Sequence, residues 1–187
     1  MTKIVADITM SLDGFVTGPD AGPESGLGRG GEPLHRWVFD GNDVDAEVLR
    51  TATEATGAVV MGRRLFDVID GPNGWNDEMG YGAGHAAAPP VFVVTHHAPA
   101  TWRLGPRFSF VTDGLASAGD QDVVVMGGGD VVRQAVVGGL VDELRIHLAA
   151  ILLGSGTPLF ADDEPLELAQ RSVVVSPVAT HLTYGVR

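Results

Sequence analysis

The 187-residue chain contains no cysteine. This excludes disulfides, thiolate metal sites, iron–sulfur clusters and a cysteine nucleophile. Basic residues are scarce: 12 Lys and Arg stand against 24 Asp and Glu, a net charge of −12. So acidic a surface repels phosphate backbones and anionic bilayers, so neither nucleic acid nor a membrane is an expected partner. A small anionic ligand needs only a local basic pocket and stays admissible. No apolar run approaches the ~18 residues of a membrane span, and the opening MTKIVADITM lacks a signal-peptide core, so a cytoplasmic protein is expected. The P-loop, G-x-S-x-G, H-E-x-x-H and EF-hand patterns are all missing. Gly26-Leu27-Gly28-Arg29-Gly30-Gly31 does contain G-x-G-x-x-G. It follows Pro23-Glu24-Ser25 and precedes Glu32-Pro33, however, so it has neither the strand before nor the helix after that a dinucleotide fingerprint requires.

With 44% apolar residues, the chain can bury a core, and its length suits a single domain over 1–187. Lys3 to Met10 alternates, with Ile4, Ala6, Ile8 and Met10 on one face and Asp7 and Thr9 on the other, which is strand period. Ser11 to Gly31 reads as a long loop. Asn42 or Asp43 caps a helix carrying Val44, Val48, Leu49, Ala52 and Ala55, and Gly57 stops it. Short apolar runs at 58–61, 91–95, 108–112 and 123–126 read as strands, with helices after Gly62, Asp113 and Asp130. Gly71 to Pro90 reads as a second long loop. Asp142 to Leu153, Arg171 to Val175 and His181 to Val186 then follow as strands with no helix between them. Strand–helix alternation giving way to consecutive strands predicts an α/β fold, a mostly parallel sheet with an antiparallel edge.

Four segments could carry chemistry. In Val123 to Val131 an apolar strand enters Gly127-Gly128-Gly129 and then a helix opened by Asp130 and Val131. Glycine backbone lets a ligand approach closely, and a helix N-terminus attracts phosphate. A tight turn is the plainer reading, but one glycine would satisfy it. Val59 to Arg64 repeats the plan, with Gly62 followed by Arg63 and Arg64, and arginine matches phosphate geometry. Solvated surface arginines are the alternative. Thr95-His96-His97 follows a strand, where open α/β sheets bind ligands. Adjacent histidines point apart, so no metal site is expected there. Ser11-Leu12-Asp13-Gly14 puts a carboxylate at the end of the first strand, as an acid/base or a substrate anchor, or as an ordinary Asp-Gly turn. His35, His85, His147 and His181 are scattered and read as structural or exposed rather than as ligands.

Taken in order, MSLDGFV, VVMGRRLFD, VFVVTHH, VVVMGGGDVV and DELRIHLAAILLGSGTPLF resemble the dihydrofolate reductase-like superfamily. The likeness is to the branch formed by the reductase domain of the bacterial riboflavin-biosynthesis deaminase–reductase and its stand-alone relatives. It covers nearly the whole chain. It implies a three-layer fold with a mixed, mostly parallel eight-stranded sheet flanked by helices, and NADPH as cofactor. It places Gly62, Arg63 and Arg64 at the cofactor phosphates, and Thr95 with His96 near the 2′-phosphate. Gly127, Gly128 and Gly129 would pack on the diphosphate and near the nicotinamide, with Asp130 and Val131 opening the helix beneath; a cis Gly-Gly peptide is common in the family at this step. Asp13 matches the aspartate considered catalytic in that branch, Ser11 and Gly14 flank it, and Trp37 resembles a substrate-side tryptophan. Relatives often pair as homodimers through the late strands. No zinc deaminase domain accompanies the reductase motifs. Asp43, Asp45 and Glu47 lie near the first helix, but none aligns with the acid that folate-reducing members use. The expected activity is hydride transfer from NADPH to a C=N or C=O carbon of a pterin-like, pyrimidine-like or sugar-like small molecule, with Asp13 orienting substrate or relaying a proton. A catalytically silent NADP-binding module and a true dihydrofolate reductase are the alternatives.

Overall fold

The computed structural model describes residues 3–76, 79–81, 88–112, 122–161 and 164–186. His85 and the helix expected after Asp113 lie outside the described residues. Among the described residues, ten strands and four α-helices follow in chain order: β1 (Ile4–Ser11), β2 (Phe15–Thr17), α1 (Arg36–Phe39), α2 (Asp43–Ala55), β3 (Thr56–Gly62), α3 (Arg63–Ile69), β4 (Val91–Val94), β5 (Phe108–Val111), β6 (Asp122–Val125), α4 (Gly129–Val137), β7 (Glu143–Ala149), β8 (Thr157–Pro158), β9 (Leu168–Val175) and β10 (Ala179–Val186). A 3₁₀ turn over Glu32–His35 leads into α1.

Eight strands form one sheet in the order β5-β4-β3-β6-β1-β7-β10-β9, while β2 and β8 make a separate ribbon. Every pair from β5 across to β7 is parallel, and β10 runs antiparallel to both its neighbours. The expected mixed, mostly parallel eight-stranded sheet is therefore present. Its central strands are Val-rich because helices cover both faces. One apolar cluster, including Ala6, Ile8, Val125, Val132, Val136 and Ile146, lies under α4. A second, including Val59, Met61, Phe66, Val91 and Phe108, lies under α3.

Beside α3, that second face of the sheet turns polar. Register pairs Asp7 with Arg145, and Thr9 with His147, which in turn pairs with His181. This half is covered by Trp37 and by the N-terminal end of α2. Asn42, not Asp43, caps α2: its side chain accepts from the Val44 and Asp45 N–H groups, and Asp45 accepts from the Asn42 N–H in return.

Several expected boundaries move. The Ser11–Gly31 loop contains β2, which pairs with β8. Gly57 lies inside β3 rather than ending α2. The strand expected over 142–153 stops at Ala149. The backbone then turns back to β1 through the Leu12 N–H donating to the Ile151 carbonyl at 2.9 Å.

Candidate active site

Strands β4, β3, β6 and β1 are adjacent and parallel, so their C-terminal ends share one edge of the sheet. On that edge the four sequence motifs meet. The Gly62 N–H donates to the Gly127 carbonyl at 2.9 Å, joining the ends of β3 and β6. Arg63 donates to Asp67 Oδ1 at 2.7 Å and to the His97 carbonyl at 2.9 Å, which ties α3 to the loop after β4. Arg64 donates to Asp130 Oδ2 at 3.2 Å across the openings of α3 and α4. Thr95 Oγ1 donates to the His97 carbonyl at 2.9 Å, and His96 is exposed beside it.

The glycines have separate reasons. Gly127 sits at φ +130°, and a Cβ at Gly62 would stand 2.6 Å from Val131 Cγ2. A Cβ at Gly129 would stand 2.8 Å from Val16 Cγ2 on β2. A Cβ at Gly128 would meet nothing within 4 Å, so the turn faces open space at this residue. The Gly127–Gly128 peptide is cis. Gly128 is the N-cap of α4, and no side chain caps that end. Backbone N–H groups and an open cradle suit a phosphate of a dinucleotide, with Arg64, whose side chain is 92% exposed, within reach.

The β1 end is built differently. Asp13 Oδ1 accepts from Ser11 Oγ at 2.6 Å and from the Leu153 N–H at 3.0 Å, and Oδ2 accepts from the Gly154 N–H at 2.6 Å. Gly14 turns at φ +92°, and its carbonyl accepts from the Leu159 N–H at 2.9 Å. The Ser11–Gly14 turn is thus clamped to the 151–159 segment. The Ser11 hydroxyl, then the Leu153 and Gly154 amides, hold the Asp13 carboxyl down at about 2, so it is a fixed acceptor at neutral pH. A carboxyl depressed from 3.8 contributes stability above its ordinary value and loses it as pH falls through about 2. Asp13→Asn is expected to flatten the acid limb of the stability curve between those values, leaving the two proteins alike below it. Urea midpoints measured from pH 5 downward check this, and parallel curves would contradict it.

Trp37 is buried. Its Nε1–H donates to Thr9 Oγ1 at 3.0 Å, and its ring lies 4.1 Å from the His147 ring and 5.1 Å from that of His181. Behind it runs a chain that sequence reading did not assemble: Asp7, His147, His181 and Asp45 are linked by successive hydrogen bonds. The signal was present as a two-residue period of polar side chains on β1 (Asp7, Thr9, Ser11) and β7 (Glu143, Arg145, His147). A solvent-facing strand face gives the same period, so the period alone does not reveal the buried chain. A groove of about 660 Å³ runs between α2 and strands β7, β10 and β9, with His147 and His181 on its floor.

Order and geometry define the class first: this is a dihydrofolate reductase-like fold with glycine turns at adjacent strand ends. Residues 107–182 match the model of the RibD C-terminal domain. The fold is similar to that of a Shewanella sp. PV-4 protein assigned to riboflavin biosynthesis, at 20% identity and TM-score 0.67, covering 100% of this chain and 99% of that one. Acinetobacter baumannii RibD aligns at 18% identity and TM-score 0.67, with all of this chain covering 58% of RibD. Enterococcus faecalis dihydrofolate reductase, solved with NADP(H), aligns at 13% identity and TM-score 0.57 over 99% of this chain and 96% of that one. No curated protein sequence matches. Among the described residues, no helix is long and apolar enough to cross a membrane.

Proposed function

We propose that the protein is an NADPH-dependent reductase that transfers hydride to a C=N or C=O carbon of a small pyrimidine-like, pterin-like or sugar-like molecule. One observation carries the reading: the ends of three adjacent parallel strands are joined, Gly62 to Gly127, Arg63 to His97 and Arg64 to Asp130, which brings the glycine and arginine motifs together at one sheet edge. The RibD C-terminal match supports it, as does the name of a similar Thermotoga maritima structure, a diaminohydroxyphosphoribosylaminopyrimidine deaminase/5-amino-6-(5-phosphoribosylamino)uracil reductase of which this chain covers 57%.

In this reading Gly62, Arg63, Arg64, Gly128, Gly129 and the opening of α4 at Asp130 and Val131 hold the cofactor phosphates. Thr95 and His96 lie at the 2′-phosphate, and Gly127 lies near the nicotinamide. Bound NADPH supplies the hydride. The chain supplies orientation and water exclusion. Ser11, Asp13 and Gly14 border the substrate, Asp13 as a permanently ionised acceptor for an N–H group. Trp37 backs the substrate space through Thr9. The exposed Val173, Val174 and Val175 on edge strand β9 are the surface through which a homodimer would form.

Calorimetric titration with NADPH tests the reading, followed by NADPH oxidation with 5-amino-6-(5-phosphoribosylamino)uracil and with dihydrofolate. Micromolar binding and turnover of the uracil are expected. Binding without turnover of either would favour a silent module, and no saturable binding would end the proposal. Replacing both Arg63 and Arg64 by alanine is expected to weaken NADPH by about tenfold or more, since hydrogen bonds to charged groups contribute roughly 1.5–3 kcal/mol. NADH should lose less.

A further inference from the structure

Three contacts link four buried or half-buried titratable side chains. Asp7 Oδ1 lies 3.0 Å from His147 Nε2, His147 Nδ1 lies 2.7 Å from His181 Nδ1, and His181 Nε2 lies 2.9 Å from Asp45 Oδ1. Each contact needs one proton between its two heavy atoms. Two ionised aspartates and two neutral imidazoles hold only two protons, whichever tautomers are chosen. One contact would then set lone pair against lone pair, in a place where an unmade hydrogen bond is costly. A third proton completes the chain, making one imidazolium between two carboxylates.

Register places the Asp7 end beside the proposed site. Ala6 pairs with Val125, so Asp7 stands level with Met126, one residue before the Gly127–Gly129 turn and on the next strand. Among the described residues, the only hydrogen bond to the Asp7 carboxylate is the one at Oδ1. The side chain is 13% exposed, and no described side-chain oxygen is fully buried without a partner, so Oδ2 keeps some solvent contact. In the middle of the chain His147 and His181, each 4% exposed, line the floor of the α2 groove.

We propose that Asp7, His147, His181 and Asp45 form a proton store holding three protons in three hydrogen bonds, with Asp7 as the outlet that supplies the proton accompanying hydride transfer. The use of the proton rests on the reductase reading; the store does not. In the transfer, the acceptor carbon gains a C–H bond with the electron pair of the hydride, NADPH being the reductant. The C=N or C=O π pair moves onto nitrogen or oxygen, which forms an N–H or O–H bond as the proton leaves the Asp7 carboxyl. Asp7, ionised in the store, takes the His147 Nε2 proton as it passes one on, so it ends ionised again and the two rings are left with one proton each. One proton from water in the groove restores the third. Asp7 is thus a catalytic residue, while His147, His181 and Asp45 are positioning residues that load it.

The surrounding charges keep both carboxylates of the store ionised. Arg145, on β7 beside Asp7, is tied to Glu143 by its Nε at 2.7 Å. Burial raises the Asp7 carboxyl, but His147 and Arg145 outweigh this and leave it below the ordinary range. Burial lowers His181, the Asp45 hydrogen bond raises it, and a further lowering by His147 leaves it below its ordinary value. His35, from the 3₁₀ turn, is pushed down to about 4 by burial and by His147, so it is neutral. Tyr81 is pushed up to about 12 by burial and by Asp7 and also stays neutral. Asp43 and Glu47 of α2 line the groove but stand outside the chain.

Imidazole ¹⁵N NMR on the cofactor-free wild-type protein at pH 7 tests the store, with His147→Gln and His181→Gln used for assignment. Three protonated nitrogens among the four of the pair are expected; two would overturn the proposal. The outlet is tested by NADPH oxidation with 5-amino-6-(5-phosphoribosylamino)uracil. Asp7→Asn should lower kcat by ~100-fold or more while the NADPH Kd stays within about twofold. His181→Gln should move the alkaline limb of the kcat profile to lower pH. A uniform loss across pH would mark a structural role only and would overturn the loading step. A wild type that binds NADPH but does not reduce this uracil would remove the outlet role together with the reductase reading, and the ring count would judge the store alone.

Discussion

Replacing Asp45 by alanine is expected to lower the unfolding free energy by about 1–3 kcal/mol, the usual cost of leaving a buried hydrogen-bond donor unsatisfied. The Asp45 side chain is fully buried, and its carboxylate accepts from His181 Nε2 at 2.9 Å and from the Asn42 N–H at 2.9 Å. Alanine would leave a buried imidazole facing an empty site and would remove half of the α2 capping box, a further loss of order 1 kcal/mol. For a chain of this length the melting temperature should fall by roughly 10 °C. Asp45→Asn keeps an acceptor oxygen and should lose less. The pH dependence has a definite sign. Burial raises the Asp45 carboxyl, but the Asn42 amide, the Ser176 hydroxyl and His181 together hold it below its ordinary value. A depressed carboxyl stabilises above its unfolded value and stops doing so as pH falls through its folded one. The gap between wild type and Asp45→Ala should therefore narrow in acid. Urea unfolding at pH 7 and pH 3 checks both statements. A loss below ~1 kcal/mol at pH 7 would mean that water satisfies His181 and that the chain is not closed.

The order of elements was legible because each crossover unit carries two independent signals: a Val-rich run too short for a helix, then a glycine and a helical period. Val59–Gly62 and Val123–Val125 were found in this way, and Val91–Val94 from its apolar run alone, since Thr95-His96-His97 follows it. The glycine and arginine motifs at these strand ends could be seen in sequence, but their contact could not. Residues 62 and 127, or 64 and 130, are far apart in the chain and become neighbours only through strand order.

The polar half of the sheet was illegible for a different reason. Alternation along β1 and β7 says that two faces differ, not which face meets solvent. Asp7 and Thr9 look like an outer face until Trp37 covers them. Trp37 comes from a segment with weak periodicity, a 3₁₀ turn and a helix of only four residues. Sequence likewise could not show that His147 and His181, 34 residues apart, face each other, because β9 intervenes in the chain and β10 pairs back antiparallel. The Asp13 turn was visible as Ser-Leu-Asp-Gly, but the amides that hold its carboxylate come from residues 153 and 154, beyond the reach of local reasoning.

The seat itself makes the second strong prediction. Gly62→Val is expected to weaken NADPH binding by at least ~100-fold, about 2.7 kcal/mol. At Gly62 the backbone is extended, so conformation alone would admit valine. Space would not: the new Cβ stands 2.6 Å from Val131 Cγ2, and Val131 lies in the first turn of α4. Valine has a stiff χ1 and cannot swing the contact away. Relief must come from moving the α4 opening off β3, which stretches the 2.9 Å bond from the Gly62 N–H to the Gly127 carbonyl and parts the two strand ends that the cofactor would bridge. Overpacking of this kind costs the fold only about 1–3 kcal/mol, so the protein should remain folded while the seat opens. Gly105→Ala, where a Cβ meets nothing within 4 Å, is the control and should leave affinity unchanged. Calorimetric NADPH titration beside urea unfolding separates the two effects. If Gly62→Val binds as tightly as wild type in a folded protein, the β3–β6 junction is not where a dinucleotide sits.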